Sequence, residues 1–155
     1  MRKWLTNIQW CPGCWDTLII MAIKNAFKDL QIASHQRVVV SWVGCSGKAS
    51  QYIDGYAAET LHGRTLPFAT GIKIVKPELT VLAVGWDGDG YGIGMGHFIH
   101  ACRRNLNITY IVFNNENYAL TTGQASPTTP LGIITKTTPD GNHLSPIDPI
   151  LLAQN

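Results

Sequence analysis

Two short apolar runs, residues 79 to 85 (LTVLAVG) and 108 to 114 (ITYIVFN), constrain this chain more than any other feature. Each is brief, rich in β-branched residues and lacks the polar alternation of a half-exposed strand. Runs of that kind belong to strands covered on both faces, as in a parallel sheet. Parallel neighbours need a crossover, and the residues between the runs supply one: a glycine-rich loop (85 to 96), then a helix near 97 to 104. The expectation is a βαβ unit with a right-handed crossover.

The flanking sequence extends that unit into an α/β fold. Residues 16 to 31 carry Ile19, Ile23, Ala26, Phe27 and Leu30 at helical spacing, with Asp16 as N-cap. Residues 37 to 43 (RVVVSWV) read as a buried strand ending at Gly44, with Cys45, Ser46 and Lys48 on the loop beyond. Residues 51 to 61 read as a helix, and 62 to 67 as a turn-rich link presenting His62 and Arg64. Pro67 opens a helix through Val75 that Pro77 closes. Beyond Thr121 little periodic pattern remains. In such sheets ligands bind past the carboxyl ends of the strands, where residues 44 to 48, 85 to 90 and 114 to 121 fall.

At 155 residues the chain suits one compact domain. Its net charge of +2, with 14% charged residues and no dense Lys/Arg run, argues against a nucleic-acid binder. So little charge also suggests that much of the surface meets another protein. No apolar run has the length of a membrane span and no basic leader precedes one, so a cytoplasmic location is expected. Cysteines stand at 11, 14, 45 and 102, and the Cys-x-x-Cys of the first pair suits metal or redox chemistry better than a disulfide framework.

The loops carry the chemistry. Asp87 ends one apolar run, Asn115 follows the next, and 25 residues (89 to 113) separate Gly88 from Asn114. A carboxylate and an amide oxygen side by side at two strand ends suit a hard cation such as Mg²⁺, with the Asn117 carbonyl as a third ligand. The small residues 88, 90, 92, 94 and 96 would let main-chain N–H groups approach a phosphate. A tight strand-to-helix turn capped by Asp87 and Asp89 is the plainer alternative, and the Asn pair after a second buried strand favours the cation. Trp86, the bulkiest side chain, stands oddly inside this loop.

These residues resemble the thiamine diphosphate-binding β subunit of the 2-oxoacid:ferredoxin oxidoreductases. The likeness rests on Asp87-Gly88 with Asn114-Asn115 and on five further blocks in order: WCPGC (10 to 14), VGCSGK (43 to 48), LHGRTLPFATGIK (61 to 73), GHFIHACRRN (96 to 105) and LTTGQASPTTPLG (120 to 132). It implies a thiamine diphosphate-binding fold, a mostly parallel sheet flanked by helices, occupying residues 1 to 155 and incomplete at the C-terminus. It implies Mg²⁺ on Asp87, Asn115 and the Asn117 carbonyl. Gly88 and Asp89 would contact the diphosphate, Ala119 and Leu120 would lie along the cofactor, and Val43, Gly44, Cys45, Ser46 and His62 would line its other side. On spacing alone His62 would be an ordinary histidine. Cys11, Cys14 and Cys45 resemble three thiolate ligands of a [4Fe-4S] cluster, although thiolates would suit zinc as well and Cys45 alone could be a small buried hydrophobe. Cys102 fits the core better than a ligand set.

The implied reaction is oxidative decarboxylation of a 2-oxoacid to acyl-CoA, with electrons passed to ferredoxin. The implied partners are an α subunit, ferredoxin, coenzyme A and the 2-oxoacid, without nucleic acid or membrane. The resemblance also implies that the activating glutamate comes from the α chain; Glu59, Glu78 and Glu116 do not match that role. The chain departs from the family in three ways. The fourth cluster ligand would lie in a later segment, Thr122 stands where many relatives have lysine, and Trp15, Trp42 and Trp86 stand where relatives have glycine. UGA codons read as glycine by the host but translated here as tryptophan would produce that last pattern. The rival readings are a thiamine-dependent enzyme without a cluster, a non-catalytic iron-sulfur or metal-binding electron carrier, and a fragment inactive without its partner.

Overall fold

The computed structural model describes residues 9–154. Its centre is a four-stranded parallel sheet formed by β1 (Arg37–Ser41), β2 (Tyr56–Glu59), β3 (Thr80–Trp86) and β4 (Ile108–Phe113), in the order β2-β1-β3-β4. The β-branched runs make β1 and β3 the two inner strands, and their side chains alternate between two cores as the pleat requires. Val39, Leu82 and Val84 face one side and meet Ile20, Ile23 and Phe27 of helix α1 (Asp16–Asp29). Val38, Val40, Val81 and Ala83 face the other. There they meet Leu66 and Ala69 of α3 (Thr65–Val75) and Phe98 of α4 (Met95–Arg104). Covering both faces removes nearly all water from these strands, at about 1.5–3 kcal/mol for each fully buried Val or Leu.

The βαβ expectation holds: β3 and β4 pair in parallel through α4, from Val81 opposite Ile108 to Trp86 opposite Phe113. Local expectations change: β1 stops at Ser41, short of Gly44, and α3 begins at Thr65, two residues before Pro67. Residues 51 to 61 are not a helix. A single turn, α2 (Ala49–Tyr52), ends before Gly55, whose φ of +138° reverses the chain into β2. β2 is an exposed edge strand, so it lacks the apolar signature of the others and exists through its pairing with β1. In α1, Trp15 takes the capping position without a side-chain bond and Asp16 lies in the first turn, while Ala26 and Leu30 are exposed. The glycine-rich loop is itself wound, a π-helical turn over Gly88–Ile93 running into α4.

Strand order decides where a site can form. After β1 the chain moves outward to β2, and after β3 it moves the opposite way to β4. The loops following these adjacent strands therefore part, leaving a crevice at the carboxyl edge. Past β4, a short ribbon of β5 (Asn117–Tyr118) and β6 (Gln124–Ala125) and then irregular chain fold back over that edge, before a last short helix, α5 (Pro149–Ala153). No helix among the described residues is long and apolar enough to cross a membrane.

Candidate functional site

A cavity of about 610 Å³ opens at this crevice. Of the residues singled out from sequence, Val43, Cys45, Ser46, His62, Asn115, Ala119 and Leu120 line it. They come from four separate loops that only the sheet topology unites. Gly44 and Gly88 do not reach the cavity surface, because tryptophan rings cover them. A Cβ at Gly44 would lie 2.2 Å from Cη2 of Trp42, and one at Gly88 would lie 2.4 Å from Cη2 of Trp86. The two indoles stack across the crevice, with centroids 5.3 Å apart and planes 27° from parallel.

Behind Trp86, Asp87 is fully buried. Its Oδ2 accepts a hydrogen bond of 2.9 Å from the Thr128 hydroxyl, whose oxygen also lies 2.8 Å from Asn114 Oδ1. Its Oδ1 lies 3.1 Å from a terminal atom of the Asn115 amide, and that same atom is 2.8 Å from the Asn117 carbonyl oxygen. With nitrogen in that place, the amide donates to both neighbours and the trio is satisfied without an ion. With oxygen there, three oxygens converge. Adjacent ligands at 2.0–2.1 Å from an octahedral Mg²⁺ stand roughly 2.9 Å apart, and both separations from the Asn115 atom are close to that. The sequence-chosen trio of Asp87, Asn115 and Asn117 thus comes together, and Asn117 Oδ1 adds a buried acceptor with no hydrogen-bond partner.

Asp89 is also buried, but its carboxylate turns away from the cavity toward the 62–65 loop. Oδ1 accepts from the Gly63 N–H and stands 3.3 Å from His62 Nδ1, while Oδ2 accepts from the Thr65 hydroxyl at 3.4 Å. Burial pushes its carboxyl above the usual range, against the Gly63 hydrogen bond and the His62 charge. This carboxylate locks the His62 loop to the end of β3. The glycines around it serve packing: a Cβ at Gly85 or Gly90 would lie 2.4 or 2.3 Å from the Tyr110 hydroxyl.

Cys11 and Cys14 stand near Cys45, which lines the cavity. Cys11 and Cys14 share a turn through Gly13, with the Cys14 N–H donating to the Cys11 carbonyl at 3.0 Å. Cys14 and Cys45 both pack against the α1-side core, and the indole N–H of Trp10 donates to the Cys45 carbonyl at 2.6 Å. Burial, then the Asp16 charge, pushes the Cys45 thiol up, and the nearby Cys11 and Cys14 add to the effect. Among the described residues, no three His, Cys, Asp or Glu side chains converge closely enough to hold a metal ion by themselves. Cys102 packs against the α4-side core.

Sequence reasoning missed two groups here. Thr128 lies in the segment without periodic pattern, where nothing marks one hydroxyl among many. Tyr118 stands edge-on to Trp86 at 4.6 Å and lines the cavity. Only its place beside Asn117 hinted at it.

Residues 31–155 match the family described as thiamine pyrophosphate enzyme, C-terminal TPP binding domain. The chain is 49% identical over 148 residues to 2-oxoglutarate synthase subunit KorB of Archaeoglobus fulgidus, covering 93% of this chain and 54% of that protein. It is 49% identical over 146 residues to the 2-oxoacid:ferredoxin oxidoreductase subunit beta of Saccharolobus solfataricus, covering 93% and 48%. Among solved structures, a 2-oxoglutarate:ferredoxin oxidoreductase from Magnetococcus marinus, with 2-oxoglutarate, coenzyme A and succinyl-CoA bound, superposes with a TM-score of 0.92 at 40% identity. That match covers 96% of this chain and 51% of the other. The chain therefore spans about half the length of the curated relatives it matches.

Proposed function

The chain belongs to the thiamine pyrophosphate enzymes, through the C-terminal binding domain of that family, and from this premise we propose that it is the cofactor-binding part of a 2-oxoacid:ferredoxin oxidoreductase β subunit. With an α subunit, that enzyme converts a 2-oxoacid and coenzyme A to acyl-CoA and CO₂, and passes the electron pair to ferredoxin. Thiamine diphosphate, when bound, supplies the electron sink for breaking the bond between the carboxylate and the oxo carbon.

The residues divide that work. Asp87, Asn115 and the Asn117 carbonyl would hold Mg²⁺, whose charge would favour a diphosphate beside it. With the Trp42 and Trp86 rings out of the way, main-chain groups of Gly88 and Asp89 would contact the diphosphate, Ala119 and Leu120 would lie along the cofactor, and Val43, Gly44, Cys45, Ser46 and His62 would border its other side. Cys11, Cys14 and Cys45 would supply three thiolate ligands of a [4Fe-4S] cluster. Asp16 is the one carboxylate among the cavity-lining residues, in keeping with an activating glutamate supplied by the α subunit.

The observation that carries the proposal is the oxygen trio at the ends of β3 and β4, spaced for an octahedral hard cation. Mn²⁺, a paramagnetic stand-in for Mg²⁺, tests it. Electron paramagnetic resonance should find one bound ion per chain and none in Asp87→Ala, and equal binding by both would refute the assignment. For the cluster, iron and acid-labile sulfide in anaerobically prepared chain are the expected result. Zinc in their place would refute it.

A further inference from the structure

Trp42 and Trp86 occupy the space over the two glycines that border the crevice. Their ring atoms stand 2.2 Å and 2.4 Å from where a Cβ would begin at Gly44 and Gly88, so the rings fill the side of each glycine that a phosphate would approach from the cavity. Both indoles are braced. The Trp42 N–H donates to Ser46 Oγ at 2.9 Å, and its ring lies 4.8 Å from the His62 ring. Trp86 is flanked by Trp42 on one side and Tyr118 on the other. Yet the Trp86 N–H is buried without a hydrogen-bond partner, so no polar contact recruits this ring to its place. Trp15, distant in sequence and 77% exposed, stands at the rim of the same cavity.

We infer that Trp42 and Trp86 form a two-ring stopper across the diphosphate approach, so that the rings as they stand and a bound diphosphate exclude one another. The inference rests on the thiamine diphosphate reading above and concerns the chain that carries tryptophan at both positions. An ion can reach the oxygen trio by way of Asn115, which lines the cavity, but a diphosphate extending from that ion toward Gly88 meets the Trp86 ring.

Calorimetry with thiamine diphosphate and Mg²⁺ on the 155-residue chain tests this. Trp42→Gly/Trp86→Gly should bind at least tenfold more tightly than the unsubstituted chain, and equal or weaker binding overturns the stopper. A second measurement avoids any variant that fails to fold. In unsubstituted chain carrying 5-fluorotryptophan, saturating cofactor should either fail to bind or move the fluorine resonances of both Trp42 and Trp86. Saturable binding that leaves both resonances in place overturns the inference. The Mn²⁺ experiment keeps the two readings apart: one bound ion, with no gain in cofactor affinity on removing the rings, defeats the stopper alone, while loss of the ion site defeats the cofactor reading beneath it.

Discussion

The hydroxyl of Thr128 donates to Asp87 Oδ2 across 2.9 Å, joining the irregular C-terminal segment to the end of a central strand 41 residues earlier. The bond occupies one carboxylate oxygen and so directs the other, Oδ1, toward Asn115. Thr128→Val keeps the shape and removes the donor. We expect Mn²⁺ affinity to fall about tenfold, the scale typical of groups that orient a metal ligand, with one ion still bound at saturation in resonance titrations.

The contact between Gly90 and Tyr110 makes a stability prediction. Gly90→Ala would set a methyl 2.3 Å from the phenol oxygen, so about 1–3 kcal/mol should be lost in urea unfolding. Tyr110→Phe in the same chain removes that oxygen and leaves ring carbons at 3.2 Å and 3.4 Å as the nearest neighbours, so most of the loss should return. Additive losses in the double variant would contradict this packing.

His97 gives a pH dependence. Burial first, and then the Arg64 charge, hold its imidazole below the ordinary value of 6.5, and Arg64 Nη1 lies 2.6 Å from its Nε2. A guanidinium can only donate, so Nε2 accepts and the neutral ring is the one the fold favours. The folded pKa is lowered, so this contribution is present above pH 6.5 and is lost as pH falls through the folded value. Unfolding free energy should therefore decline from pH 7 to pH 5, and His97→Gln should flatten that decline.

The codons at positions 15, 42 and 86 give a fourth prediction. Three of the five tryptophans stand at positions where the resemblance has glycine, and all three line one cavity, whereas Trp10 is a core residue. We expect UGA at all three, read as glycine by the host. UGG at these positions would instead make the stopper a feature of the native polypeptide.

The inner strands were legible because burial on both faces writes itself into sequence as short β-branched, apolar stretches, as at 38 to 40 and 81 to 84. β2 left none: Tyr56, Ala57 and Glu59 face solvent, and only pairing to β1 makes them a strand. The sequence singled out Asp87 and Asn115 because each follows an apolar run, and the fold does bring their side chains together at two strand ends. The site was not legible where a generic hydroxyl serves, as at Thr128, nor at Asp89, whose carboxylate binds a loop that lies far away in sequence.

The Asn115 amide has a consequence for rates. Three oxygens without an ion would repel, but a half-turn of this one side chain replaces repulsion by two donated hydrogen bonds, so the empty arrangement keeps its shape. An arriving ion need only reverse that half-turn, a rotamer motion with no main-chain rearrangement. Loading should then be limited by the slow stripping of water from magnesium rather than by the protein.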